Sequence, residues 1–367
     1  MNKRLLACAV LGLLASGSAI AESGLTLYGN VDASLVTATG IGTTLDRRVS
    51  FGEGNWAPSV WGLKGTEDLG GGLKAHFRLE GGLNAGTGAI ANGGTTGIFS
   101  RMANAGISGP FGSVTAGLNL SPFIAAYTST LGLAGNNFYV PALLMHRDGS
   151  VISGTGITAG SPIAAFPGGT DADPSLGTTG GFFIPNSFTY SLPSEMIAGV
   201  TGSVMYALGG VPGSSRQNRF VSGNLGYAFG DLNLVIAGSD RDEQYRQYLI
   251  GASVPIGPVR LAANYVRFNP VIGTSSNTYI IGAQMKVIPS TSVGVNYARN
   301  DSAGNPDIIN LSAVYSMSKT TNLYAAFNRA SEGVPSSYSG NVDAGTNASL
   351  AQAGSSNAFI LGIQKGF

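Results

Sequence analysis

The residues able to do chemistry are few, and many of them stand two apart. In "LKAHFRLEGGL" (73–83), Lys74, His76, Arg78 and Glu80 alternate with Ala75, Phe77 and Leu79. Lys64 lies in the run just before, and Arg101 opens "RMANAGISG". In "LTLYGNVDASLV" (25–36), Tyr28, Asn30, Asp32 and Ser34 oppose Leu25, Leu27, Gly29, Val31, Ala33 and Leu35. A period of two is that of a β-strand, with one polar and one apolar face. Charged side chains on the wall of a narrow water-filled passage bias which ions enter, while water access keeps binding weak enough for exit. The candidate wall residues are Asp32, Lys64, His76, Arg78, Glu80 and Arg101, with Tyr28. A plainer reading has the same residues merely solvating a wet interior, with Lys64 and Glu80 pairing to neighbouring strands.

Other chemistries find little support. The two histidines, His76 and His146, show no spacing that suggests a Ser–His–Asp set, so no enzyme activity is expected. "GTGITAG" (154–160) lacks the spacing and strand–helix context of a dinucleotide loop. Asp171 and Asp173 in "TDADPS" are too few to hold Ca²⁺. No metal or cofactor is expected. Arg47 and Arg48 read as a solvated pair, with contact to lipid phosphates or a neighbouring subunit as the alternative.

These residues need a frame, and the composition indicates which. Of 367 residues 43% are hydrophobic and 11% charged, with 56 glycines and a mean hydropathy of +0.19. Soluble domains are about 25% charged. Beyond the first twenty residues no run is apolar for the roughly 20 positions a membrane helix needs. An apolar chain built from alternating runs is what a transmembrane β-barrel requires. Residues 1–21 read as a secretory signal: basic "MNKR", apolar "LLACAVLGLLASG" and a small-residue "AIA" before Glu22. Cleavage between Ala21 and Glu22 leaves a barrel of residues 22–367 without cysteine, since Cys8 goes with the leader. The remaining chain balances at −1, with no basic excess to bind nucleic acid.

Sixteen strands are expected, at about 25–36, 57–68, 72–84, 99–109, 111–119, 183–191, 198–208, 218–229, 231–240, 244–254, 258–268, 277–287, 291–299, 307–317, 321–330 and 357–367. Short turns such as "LGGG" (69–72), "GPFG" (109–112) and "FGDL" (229–232) alternate with long connectors at 37–56, 85–98, 120–182, 209–217, 269–276, 300–306 and 331–356. Short-then-long alternation fits periplasmic turns and extracellular loops. An even count lets the first and last strands pair and leaves no open edge. The connector 120–182 is long enough to fold inward and narrow the lumen.

The blocks "LTLYGNVDASL", "WGLKGTEDLGGGLKAHFRLEGGL", "SRMANAGISGPFGSVTAGLN", "PNSFTYSLP", "GAQMKVIPSTSVGVNYAR" and "SAVYSMSKTTNLYAAFNRAS", with terminal Phe367, make the chain resemble the trimeric general porins of Gram-negative bacteria, in their β-proteobacterial branch. That resemblance implies a sixteen-stranded antiparallel barrel in the outer membrane, a homotrimer among lipid and lipopolysaccharide, passing small hydrophilic solutes and ions. It also implies an inward third loop whose acidic groups face a ladder of wall arginines. Arg101 matches a family wall arginine. Arg78 stands where glutamine is commoner. Val60, Leu118 and Phe183 stand where an arginine is expected, and no acidic third-loop signature is visible in 120–182. A weaker charge selectivity than in typical members is therefore expected. A substrate-specific channel, or a loop-borne adhesin or receptor, is the alternative.

Overall fold

The computed structural model describes residues 24–41, 46–90, 97–131, 182–193, 198–242, 244–271, 273–302, 304–331 and 355–367. The leader expected at residues 1–21 and residues 132–181, with His146, Asp171 and Asp173, lie outside that set. The described residues form one antiparallel sheet of seventeen strands closed on itself. The strands are β1 (Gly24–Ile41), β2 (Asp46–Glu53), β3 (Val60–Gly70), β4 (Leu73–Gly82), β5 (Met102–Gly109), β6 (Gly112–Leu120), β7 (Phe183–Ser191), β8 (Val200–Ala207) and β9 (Phe220–Phe229). They continue as β10 (Leu232–Arg241), β11 (Tyr245–Ile256), β12 (Val259–Pro270), β13 (Ser276–Ile288), β14 (Thr291–Asn300), β15 (Asp307–Ser318), β16 (Thr321–Ala330) and β17 (Ser356–Gly366). One helix, α1 (Pro122–Leu131), follows β6.

The seventeen strands make sixteen staves. β1 is long enough for two partners on one edge: β2 pairs with its upper half (Ala33 to Ile41) and β3 with its lower half (Gly24 to Asn30). β2 and β3 are thus one stave, broken at residues 54–59. The connector expected at 37–56 is corrected here, because it contains β2 and the end of β1. Its polar sequence hides a hairpin whose outward positions, Val49 and Phe51, are apolar and exposed. The ring closes between β1 and β17, from Asn30↔Gly366 to Thr39↔Asn357. Phe367 adds a reciprocal pair of backbone bonds with Gly29, at 3.0 and 3.1 Å.

Alternation sorts the two faces. Leu25, Leu27, Leu225, Ile236, Ile250, Ile281, Leu311 and Leu361 all point outward and are exposed, as a lipid-facing wall requires. Outward aromatics gather near both rims. Tyr227, Phe229 and Tyr315 lie toward the short turns, and Tyr206, Tyr248 and Tyr279 toward the long connectors, where amphipathic rings suit a membrane boundary.

The inner face is polar in part only. Val235, Leu249, Val266, Ile280, Ala298, Ile308 and Ala330, one on each of β10–β16, form a buried apolar belt together with Phe123, Ile124 and Tyr127 of α1. Helix α1 lies inside the barrel against β9–β12. It carries no charge at either end, and the Thr128 and Ser129 hydroxyls donate back to the carbonyls of Ile124, Ala125 and Ala126 at 2.8–3.1 Å. Burial pushes the Tyr127 phenol above its ordinary range.

Candidate functional site: a charged corner of the inner wall

β1, β3, β4 and β5 bring the charged residues together because their registers align. Lys64 opposes Thr26 on β1 and Arg78 on β4, and Gly62 opposes both Tyr28 and Glu80. Glu80 in turn opposes Met102, next to Arg101. Each inward position of one strand therefore meets an inward position of the next. Gly62 is required at the centre. A Cβ there would stand 2.5 Å from the Leu79 carbonyl and 2.8 Å from the Tyr28 hydroxyl.

Glu80 is the hub. Its side chain is only 4% exposed, and it is held by Arg78 Nη2 at 2.6 Å and Arg101 Nε at 2.7 Å. Tyr28 donates its hydroxyl to Glu80 Oε2 at 2.9 Å and accepts from Arg78 Nε at 2.8 Å. Lys64 Nζ and the Arg78 guanidinium both lie over the Tyr28 ring, 5.3 and 5.4 Å from its centre. Arg101 lies over the Phe183 ring at 4.6 Å, a cation–π contact. Three cations thus surround one carboxylate, a formal excess of +2. Arg78 is the more open guanidinium, 43% exposed against 20% for Arg101. The corner can hold a local positive potential toward water without a buried unpaired charge.

The remaining sequence-predicted residues fall as follows. His76 is inward and half-buried, two residues from Arg78 toward the short-turn end, opposite Thr66 and Gly106. Val60 is inward, opposite Asn30 and Gly82. Leu118 sits where the β6–β7 register shifts, and packs on the apolar cluster around α1. Phe183 belongs to that cluster and lies beneath Arg101. Of the loop pair, Arg47 is exposed and Arg48 half-buried.

Asp32 is inward but fully buried, apart from the corner. Its Oδ2 accepts the backbone N–H groups of Trp56 and Ala57, each at 2.9 Å, and its Oδ1 accepts the Tyr324 hydroxyl at 2.5 Å. Trp56 stacks on Tyr324, with ring centres 5.9 Å apart. Nothing in the strand pattern distinguishes this carboxylate from Glu80. Sequence reading also missed α1 and the neutral ladder beside the corner. In that ladder Ser316 donates to Asn322 at 2.7 Å, Asn322 to Gln364 at 2.6 Å, and Gln364 to Asn30. Among the described residues no group of three or more His, Cys, Asp or Glu is placed to hold a metal ion.

A closed sixteen-stave barrel with an apolar outside, a charged inner corner and an inward helix defines a membrane channel of the outer-membrane type. The chain belongs to the Gram-negative porin family, whose profile matches residues 7–333. It is 30% identical to outer membrane porin protein 32 of Delftia acidovorans, over 98% of this chain and all of that one. Its fold matches an anion-selective porin from Comamonas acidovorans with a TM-score of 0.72 at 24% identity, covering 94% of this chain and 100% of that one. OmpT of Vibrio cholerae, solved in a trimer form, aligns over 94% of this chain and 99% of its own at a TM-score of 0.59 and 13% identity. The first two of these relatives are named as porins, channels rather than enzymes.

Proposed function

We propose that this porin passes small hydrophilic solutes and ions passively, with a weak preference for anions. The corner around Glu80 carries the reading: its three cations outnumber its one carboxylate. Half the ring away, α1 offers no charge of either sign. Positive wall charge enriches anions, but Glu80 cancels part of it. Val60, Leu118 and Phe183 leave neutral positions where further positive charge was expected from the resemblance. The selectivity should therefore be weaker than in typical members of the family. The anion-selective relative supports the sign of the preference and the neutral positions support its modest size.

The working form is a homotrimer of residues 22–367 in the outer membrane, surrounded by lipid and lipopolysaccharide. Support for the trimer comes from the trimeric relative and from the general preference for closed symmetry. Purified protein in planar bilayers under a salt gradient tests the function. The expected result is steady conductance with a small reversal potential of anion sign. Cation preference, or near-ideal anion selectivity, overturns the reading. Saturable block of single-channel current by one solute would instead favour a substrate-specific channel.

A further inference from the structure

The helix inside the barrel is fixed at two places, and the fixing residues come from strands remote in sequence. At its start, the Phe123 N–H donates to Ser222 Oγ at 3.1 Å, and Asn224 Nδ2 donates to the Pro122 carbonyl at 2.7 Å. Both partners are on β9. At its end, the Thr130 hydroxyl donates to Asn264 Oδ1 at 2.7 Å, while Asn264 Nδ2 donates to the Tyr127 carbonyl at 3.3 Å. One amide on β12 thus engages a side chain and a backbone carbonyl near the end of the helix. Asn264 is 3% exposed and Thr130 is fully buried.

The neighbouring strand leaves room for this contact. Gly251 on β11 opposes Asn264. A Cβ at residue 251 would stand 2.2 Å from Asn264 Oδ1, 2.9 Å from Val235 Cγ1 and 3.1 Å from Thr130 Oγ1. A missing side chain, a buried amide and a buried hydroxyl therefore coincide at one point, which chance apolar packing of a helix against a wall would not require. Asn233 on β10 makes a longer, exposed contact of 3.4 Å to the Ser129 carbonyl and serves as the comparison.

We propose that Asn264, seated over Gly251, is the positioning residue that holds the end of α1 against the wall and so fixes the free cross-section of the channel. The inference rests on the channel reading and adds to it the part that keeps the lumen open at constant width. A buried amide–hydroxyl pair is costly to break on one side alone. Its loss frees the last turn of the helix to move into the water path, and the chain continues directly from that turn into residues 132–181.

The test is single-channel recording of the full-length trimer in planar bilayers, with Asn264→Ala, Thr130→Val, Gly251→Ala and Asn233→Ala beside the unaltered protein. Asn264→Ala and Gly251→Ala should each raise open-level current noise severalfold and add sub-conductance levels. Thr130→Val should do the same to a lesser degree, and Asn233→Ala should leave the record quiet. Because Asn264 and Thr130 act on each other, the double variant should be no noisier than Asn264→Ala alone. Gel migration before and after boiling checks that every variant still folds into a barrel and assembles. Quiet, full-conductance records from intact Asn264→Ala and Gly251→Ala trimers overturn the proposal. So does strict additivity in the double variant, or equal disturbance by Asn233→Ala. Failure of the unaltered protein to conduct at all would overturn the channel reading instead.

Discussion

Two buried carboxylates sit on the inner wall within two staves of each other, and they do opposite work. Asp32 is 0% exposed and Glu80 is 3% exposed, and both occupy inward positions of alternating strands. Asp32 is held by neutral dipoles, among them the backbone N–H groups of Trp56 and Ala57 and a phenol. Glu80 is held by two guanidiniums. Neutral donors bring no opposing field, so they hold Asp32 as a pin joining β1, the break between β2 and β3, and Tyr324 on β16. The guanidiniums around Glu80 bring more charge than they neutralise, and part of it faces the lumen on Arg78. Burial alone does not reveal the role of an inner-wall carboxylate; the charge of its partners does.

The largest effect expected from breaking this contrast is at Asp32. Asp32→Ala strands the Trp56 and Ala57 N–H groups and the Tyr324 hydroxyl in a buried site. At about 1–3 kcal/mol for each of these three unsatisfied groups, the loss is on the order of 3–9 kcal/mol. The barrel should lose its heat-resistant gel migration at a markedly lower temperature, while the surviving channels keep the ion preference of the unaltered protein. Asp32→Asn retains one acceptor and should fall between. A variant with normal heat resistance, or with altered selectivity in intact channels, would put Asp32 in the same class as Glu80.

Glu80→Gln should act the other way round. Removing the negative hub raises the excess charge from +2 to +3 (Lys64, Arg78 and Arg101 without Glu80). Anion over cation permeability should rise, roughly two- to fourfold, as expected for one unit charge on a confined wall. Loss of the charge-assisted bonds should cost about 1–3 kcal/mol, less than at Asp32. Arg78→Gln should lower the anion preference by roughly twofold, and Arg101→Gln by less, because Arg101 is the more covered and rests on Phe183. Reversal potentials measured across one salt gradient rank all three variants.

How far these roles were legible in the sequence depends on their range. Alternation alone placed Arg78 and Glu80 on one face two residues apart, and their ion pair follows from that. Arg101 is 21 residues from Glu80; strand register brings its neighbour Met102 opposite Glu80, but Arg101 lies just before β5 and its aim at Glu80 does not follow from alternation. Asp32 could be placed on the inner face but not in its setting, since Tyr324 is 292 residues away and Trp56 lies in a break that no periodicity marks. The second strand was hidden because β1 continues beyond the point where its neighbour changes. Helix α1 left no readable trace: "PFIAAYTSTL" is short, its Thr and Ser residues favour other conformations in isolation, and it is held by side chains of β9 and β12.

The smallest effect is expected at Val60, and it tests the corner from outside. Val60 is inward and half-buried on β3, opposite Gly82 and Asn30. It lies two positions along the strand from Gly62, which faces Glu80, and its directly opposed residues, Asn30 and Gly82, carry no charge. Val60→Arg therefore adds a positive charge to the wall without dismantling any existing pair. Its guanidinium can reach water along its apolar stem, where the field of one solvated charge is strongly screened. Anion preference should rise by roughly one and a half fold, less than for Glu80→Gln, and the difference should shrink as the salt concentration is raised. If Val60→Arg instead matched or exceeded Glu80→Gln, the narrow part of the channel would lie nearer Val60 than the corner. The ion preference would then be set by the positions that lack arginines rather than by the cluster around Glu80.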